Sequence, residues 1–244
     1  MMFFKVIATL FLFSTINLQL VQAKQLTDAT GKVLTIPDSI EHVICSGAGC
    51  LRLLTYLQAE HMAVGVDSIE TRHRNLDARP YALANKQFKK MQVFGEFRGH
   101  DNPEQIFNLN PLPQIILKTY PQMGHDPVEL EKKTGIPVIS LYYGNLSTQR
   151  ADMIQALKIM GKAINKEERA DQVVSFFESH IAELNKRTKD LNPKTLPTVF
   201  LGGVAFKGPH GFQSTEPAYP PFSFVKTKNL ARVGIAKKQE LKHS

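Results

Sequence analysis

Val43-Ile44-Cys45-Ser46-Gly47-Ala48-Gly49-Cys50-Leu51-Arg52-Leu53-Leu54-Thr55-Tyr56-Leu57 decides the fold class. A β-type run, Val43 to Cys45, meets a glycine-rich turn, Ser46 to Gly49, and from Cys50 onward the apolar residues recur at helical intervals. Strand, turn and helix in succession open an α/β unit, and the chain repeats it. Ala63-Val64-Gly65-Val66, Met91-Gln92-Val93-Phe94, Gln114-Ile115-Ile116-Leu117 and Ile136-Pro137-Val138-Ile139-Ser140-Leu141 read as further strands. Two of the helices between them carry start signals. Asn102-Pro103-Glu104 and Asp126-Pro127-Val128-Glu129 each place a capping side chain before a proline, with an acid at the positive end of the helix dipole. Pro111 and Pro113 stop the first helix, and Gly135 stops the second. Short strands separated by helices predict an α/β fold with a parallel sheet covered on both faces.

Past residue 147 the rhythm changes. Met153, Ile154, Leu157 and Met160 share one helical face, and Ala170, Val173, Val174, Phe177, Ile181 and Leu184 share another. Two consecutive helices are expected, the second of about 24 residues and ~36 Å. Thr198-Val199-Phe200-Leu201 then restarts the strand pattern. The expected division is a leader over 1–23, an α/β lobe over 24–146, a helical spacer over 147–192 and the beginning of a second lobe over 193–244.

The leader, MMFFKVIATLFLFSTINLQLVQA, holds one charge, Lys5, then an apolar run from Val6 to Ile16. Val21 and Ala23 supply small residues for cleavage before Lys24, as in an export signal. The run is shorter than the ~20 residues of a spanning helix, and no Cys follows it closely enough for lipid attachment. Export implies an oxidising compartment. Cys45 and Cys50 fit either a disulfide or a pair of small buried thiols.

The 244 residues carry 30 Lys+Arg against 22 Asp+Glu, a formal charge of +8, with 43% hydrophobic and 21% charged residues. This composition excludes a disordered tail, a collagen-like repeat, a disulfide-dense mini-protein and a polytopic membrane protein. The positive charge points to an anionic partner. Nucleic acid is not expected, because the leader directs export and no basic stripe interleaves with aromatics. The chain has no Gly-Lys-Ser/Thr phosphate loop, no Gly-x-Ser-x-Gly elbow and no His-Glu-x-x-His. Gly47-x-Gly49 begins a dinucleotide fingerprint, but Arg52 stands where its third Gly belongs. Neither catalysis nor a resident cofactor is expected.

Sheets of this kind bind ligands at the carboxyl ends of their strands. The loops there supply Ser46 and Gly47, then Arg72, His73 and Arg74, then Arg98 and His100, then Tyr120 and His125. The second lobe adds His210, Gln213 and Ser214. Arg72, Arg74 and Arg98 could grip carboxylates or phosphates in bidentate fashion. His73, His100, His125 and His210 fall on different loops, and imidazole ligates iron and zinc; His73 and His125 are the metal candidates. Tyr81, Tyr120 and Tyr219 are phenols that could reach ferric iron.

Three groups of residues then show a likeness to a known family. They are Asn102 to Pro111, with its acid, apolar helix and Leu109-Asn110-Pro111; Arg79-Pro80-Tyr81-Ala82-Leu83-Ala84; and Gly202 to Gly211 with Ser214 to Phe222. With the glycine-rich turn after the first strand, their order resembles the periplasmic substrate-binding proteins of ABC importers for iron chelates, haem and vitamin B12, from residue 27 to about 232. The resemblance implies a monomer of two α/β lobes on a stiff helical spacer, with the ligand between them. It also implies docking on an inner-membrane permease through one carboxylate per lobe, the first matching Glu104. It departs in the second lobe, which in that family needs roughly a hundred more residues, whereas Val233 to Ser244 is a basic tail unlike the family. A truncated or frame-shifted product, or a fragment, is expected. The expected function is periplasmic capture of an iron-containing chelate, siderophore or haem, and its delivery to the permease. The alternatives are a zinc, manganese or oxyanion carrier of the same shape and an envelope thiol oxidoreductase using Cys45 and Cys50.

Overall fold

Val43-Ile44-Cys45-Ser46 is buried at every position, which a strand allows only where both faces of its sheet are covered. The computed structural model describes residues 22–72, 79–192, 194–204, 211–212, 215–217 and 219–232. The chain opens with β1 (Ala23–Thr27), β2 (Val33–Pro37), β3 (Val43–Ser46) and α1 (Cys50–Tyr56). It continues through β4 (Ala63–Asp67), α2 (Ser68–Thr71), α3 (Pro80–Ala84), β5 (Val93–Glu96), β6 (His100–Asp101) and α4 (Pro103–Phe107). Then come β7 (Ile115–Thr119), α5 (Pro127–Thr134), β8 (Val138–Leu141), α6 (Arg150–Ala163) and α7 (Glu167–Arg187). Last are β9 (Thr198–Val199), α8 (Pro220–Phe224) and β10 (Lys228–Asn229).

The main sheet has six strands in the order β6-β5-β4-β3-β7-β8. All neighbours are parallel except the short edge pair β5 and β6. Strand alternation sorts the apolar residues. Val43, Cys45, Ile115, Leu117, Ile139 and Leu141 face a core shared with α1, α6 and α7. Ile44, Ile116 and Val138 face a second core with Ile106 of α4 and Leu130 of α5. The α/β class and the covered parallel sheet are therefore as expected.

Several elements were not anticipated. β1 and β2 form an antiparallel hairpin with Leu26 opposite Leu34, and Leu26, Leu34 and Ile36 join the first core. Asp28 fixes it: one carboxylate oxygen accepts from the Thr30 amide, the Thr30 hydroxyl and the Lys32 amide, and the other from the Ser140 amide at 3.1 Å. The edge strand β6 and the short helices α2 and α3 also lay beyond reach of periodicity, being too short to show one.

α7 is 21 residues long, ~32 Å at helical rise, somewhat shorter than expected, because the chain only re-enters helix at Glu167. Among the described residues no helix is long and apolar enough to cross a membrane. β9 stops at Val199, short of the expected Phe200 and Leu201, because its partner β10 offers only two residues. This last segment leans on the start of α6. Ser147 and Ser223 share a hydroxyl contact of 3.3 Å, and the Arg150 guanidinium lies 5.8 Å from the Phe224 ring. The leader residues 1–21 and the tail 233–244 lie outside the described residues.

Candidate functional site

The turn after β3 is built for close approach. Gly47 and Gly49 have φ of 86° and 78°, the left-handed region that favours glycine. A Cβ on Gly47 would sit 2.4 Å from the Thr119 carbonyl oxygen, and one on Gly49 would sit 2.3 Å from the Tyr143 ring. The turn thus lies flat on the end of β7 and beneath Tyr143, and it delivers α1 at the carboxyl edge of the sheet.

A cavity of about 470 Å³ opens there. Arg52, on the first turn of α1, enters it, with its guanidinium carbon 4.9 Å from the centroid of the Tyr143 ring. Its Nε is buried without a hydrogen-bond partner, and among the described residues it forms no ion pair. Tyr120 packs 5.8 Å from Tyr143 between ring centroids. Burial raises the Tyr120 hydroxyl above its ordinary range, and Arg52 partly offsets this. Arg98 lines the same space, exposed, with its guanidinium 5.5 Å from the Phe97 ring. Tyr120 and Arg98 are non-glycine residues held at φ of 53° and 70°, conformations that persist only where surroundings enforce them.

A second wall is acidic. Glu70 is buried and accepts from the Arg79 guanidinium at 2.9 Å and the Tyr81 hydroxyl at 2.7 Å. Burial and Glu70 together raise the Tyr81 hydroxyl. Asp67, at the end of β4, caps α2 by accepting from the Ile69 amide at 3.0 Å. Burial, with the Glu70 and Asp101 charges adding, pushes its carboxyl up to about 7, against the Ile69 bond and Arg79.

A buried ion pair joins β3, β6 and β7. Lys118 Nζ donates to Asp101 Oδ2 at 2.6 Å, the Gly99 carbonyl at 3.0 Å and the Ser46 hydroxyl at 3.1 Å. Ser46 donates in turn to Asp101 Oδ2 at 2.9 Å. All three ammonium hydrogens are used, as burial of such a charge requires. The Gly99 carbonyl also accepts from the His125 amide at 2.7 Å, joining the loop after β5 to the loop after β7.

Of the residues singled out from sequence, Gly47, Arg98 and Tyr120 line the cavity. Ser46 does not present its hydroxyl there: β3 is covered on both faces, and Ser46 is fully buried in the Lys118 pair. Arg72 is exposed and paired with Glu96 at 3.4 Å, outside the cavity lining. His100 and His125 line a separate open groove that also carries Glu104 and Lys133. Glu104 is exposed on the first turn of α4. His73, Arg74, His210, Gln213 and Ser214 lie outside the described residues. Among the described residues no three His, Cys, Asp or Glu side chains cluster as a metal site would require.

Arg52, Asp67, Glu70, Arg79 and Tyr143 were missed as site residues. Arg52 had a signal, a cation one turn into the helix that follows the glycine-rich turn. Cys45 and Cys50 are both buried, unbridged thiols. Cys50 donates to the Leu117 carbonyl at 3.3 Å. Burial, with Cys50 beside it, holds the Cys45 thiol well above its ordinary range, which leaves it unreactive.

The fold is that of the periplasmic solute-binding proteins of ABC transporters. Similar solved structures are the molybdate-bound periplasmic binding protein MolA of Haemophilus influenzae, at 20% identity and TM-score 0.58 over 73% of this chain and 58% of that one; the petrobactin-binding protein YclQ of Bacillus subtilis, at 16% and 0.54 over 74% and 57%; and the haem-binding protein HmuT, at 19% and 0.54 over 87% and 64%. The chain therefore spans about three-fifths of the length of the structures it matches. These neighbours are binding proteins rather than enzymes. No protein-family description matches the chain, and no curated protein matches its sequence.

Proposed function

We propose that this protein is the solute-binding component of an ABC importer and captures an anionic iron chelate, a siderophore complex or haem, for delivery to a membrane permease. The observation that carries the reading is Arg52: a guanidinium with no ion pair among the described residues, held against Tyr143 in a cavity at the carboxyl edge of the sheet. The guanidinium carries its charge in the cavity lining, where an anionic oxygen can pair with it. Tyr81, Phe97, Tyr120 and Tyr143 give the same cavity aromatic walls, suited to a bulky, partly apolar chelate more than to a bare metal ion. The neighbours whose names specify petrobactin and haem support this cargo, and the molybdate protein supports an anion more generally. Both thiols are buried, which disfavours an envelope oxidoreductase.

In this reading residues 1–23 direct export to the periplasm, 24–146 form the ligand-holding lobe, 147–192 act as the spacer, and 193–244 begin a second lobe. Glu104, exposed at a helix start, is the permease contact, and the protein acts as a monomer without catalysis. The test is a thermal-shift panel of haem, ferric siderophores, cobalamin, molybdate, zinc and manganese. A ligand that binds only the folded state raises the midpoint. An anionic iron chelate is expected to do so, and a shift with bare metal ions alone would overturn the reading.

A further inference from the structure

Arg52 and Asp67 line one cavity from different elements. We infer that anion binding at this site is coupled to proton uptake, and that Asp67 is the residue that holds the proton. This rests on the anion-binding reading above.

The geometry of Asp67 leaves one of its oxygens uncommitted. The residue is 6% exposed. Its Oδ1 is engaged by the Ile69 amide, and among the described residues no donor reaches Oδ2. The charged and titratable groups facing it are Cys45 from β3, Glu70 from α2, Asp101 from β6 and Arg79 from the segment before α3. Arg79 is engaged by Glu70 and Tyr81, and the cation nearest Asp101, Lys118, is engaged by Asp101 itself. Burial disfavours its charged form most, and Glu70 and Asp101 add to this against the Ile69 bond and Arg79, so the carboxyl is pushed up to about 7. An anion seated on Arg52 adds a further like charge to the same cavity, which favours the protonated carboxyl and draws a proton from solvent. Linkage makes the effect reciprocal: protonating Asp67 strengthens anion binding, and ionising it weakens binding.

The experiment is isothermal calorimetry of the full chain at pH 6.5–8.5, in pairs of buffers with different ionisation enthalpies. The probes are molybdate and the iron(III) complex of a hexadentate tris-catecholate, whose charges are constant over that range. For a coupling of about tenfold, native protein is expected to take up about half a proton per anion near pH 7.5, and its affinity to fall about sixfold across the range. Asp67→Asn keeps the helix cap, because Asn serves that position as well as Asp. It is expected to bind without proton uptake and with affinity flat to pH 8.5. Tight binding with no proton uptake, or the same uptake in Asp67→Asn, would overturn the inference and leave the anion site standing. If neither of these probes nor haem binds at any pH, the anion-site reading fails and takes the inference with it.

Discussion

The Arg52 guanidinium stacks 4.9 Å from the Tyr143 ring centroid while its buried Nε–H has no acceptor among the described residues. The ring orients the cation without neutralising it. Arg52→Gln is therefore expected to lower affinity for an anionic chelate by about tenfold or more, the worth of one charged hydrogen bond. It should leave thermal stability unchanged or slightly raised, since an unsatisfied donor is removed. Calorimetry and a melting curve on the same sample check both halves. A variant that loses stability rather than affinity would make Arg52 a structural residue.

Lys118 and Asp101 are both fully buried and lie 2.6 Å apart. Lys118→Met removes the partner of a buried carboxylate and is expected to cost about 3–5 kcal/mol in urea denaturation. Adding Asp101→Leu should restore much of that loss, because the stranded charge goes too. If the double variant is no more stable than the single one, the pair is not the source of the cost.

Stability should also depend on Asp67. Its folded value of about 7 lies above the ordinary 3.8, so between those values the folded state holds more protons than the unfolded state. Stability from this group is full below about pH 4 and declines as pH rises through 7. Asp67→Asn is expected to be more stable than native protein at pH 8, by up to about 4 kcal/mol, with the difference vanishing toward pH 4. Parallel denaturation curves at pH 4 and pH 8 measure it, and a constant difference would contradict it.

Gly49→Ala meets both a left-handed backbone and the Tyr143 ring, and a loss of about 2–4 kcal/mol is expected. Gly31 has a φ of 88°, but a Cβ there meets nothing within 4 Å. Gly31→Ala should therefore cost only about 1–2 kcal/mol. The gap between the two isolates the ring contact, and equal losses would remove it as a cause.

How far the sequence could be read depended on how much of each signal was local. β3, β7 and β8 were legible because a central parallel strand must be apolar on both faces, and Ile115-Ile116-Leu117 admits no other reading in a chain of this rhythm. The capped starts of α4 and α5 were legible for the same reason, as the Asn102 and Asp126 side chains do accept from the helix amides. The hairpin was not anticipated, although Leu26, Leu34 and Ile36 lie at strand spacing, because its hold on the sheet runs from Asp28 to Ser140, far along the chain. The cavity residues were only partly legible. Arg98 and Tyr120 follow strands and were found by position. Arg52 and Asp67 look like ordinary polar residues at helix and strand ends until the strand order β4-β3-β7 brings their ends together.

The Gly99 carbonyl accepts from both Lys118 Nζ and the His125 amide, which ties the loop of Arg98 to the loop of Tyr120. Two rim segments that could have fluctuated independently are stapled at one oxygen atom. In the proposed binding role, these two segments meet a ligand as one preformed lip, and little ordering remains for them at the moment of contact. Association should then lose little to loop freezing, and discrimination among cargoes falls to shape and charge at the lip itself.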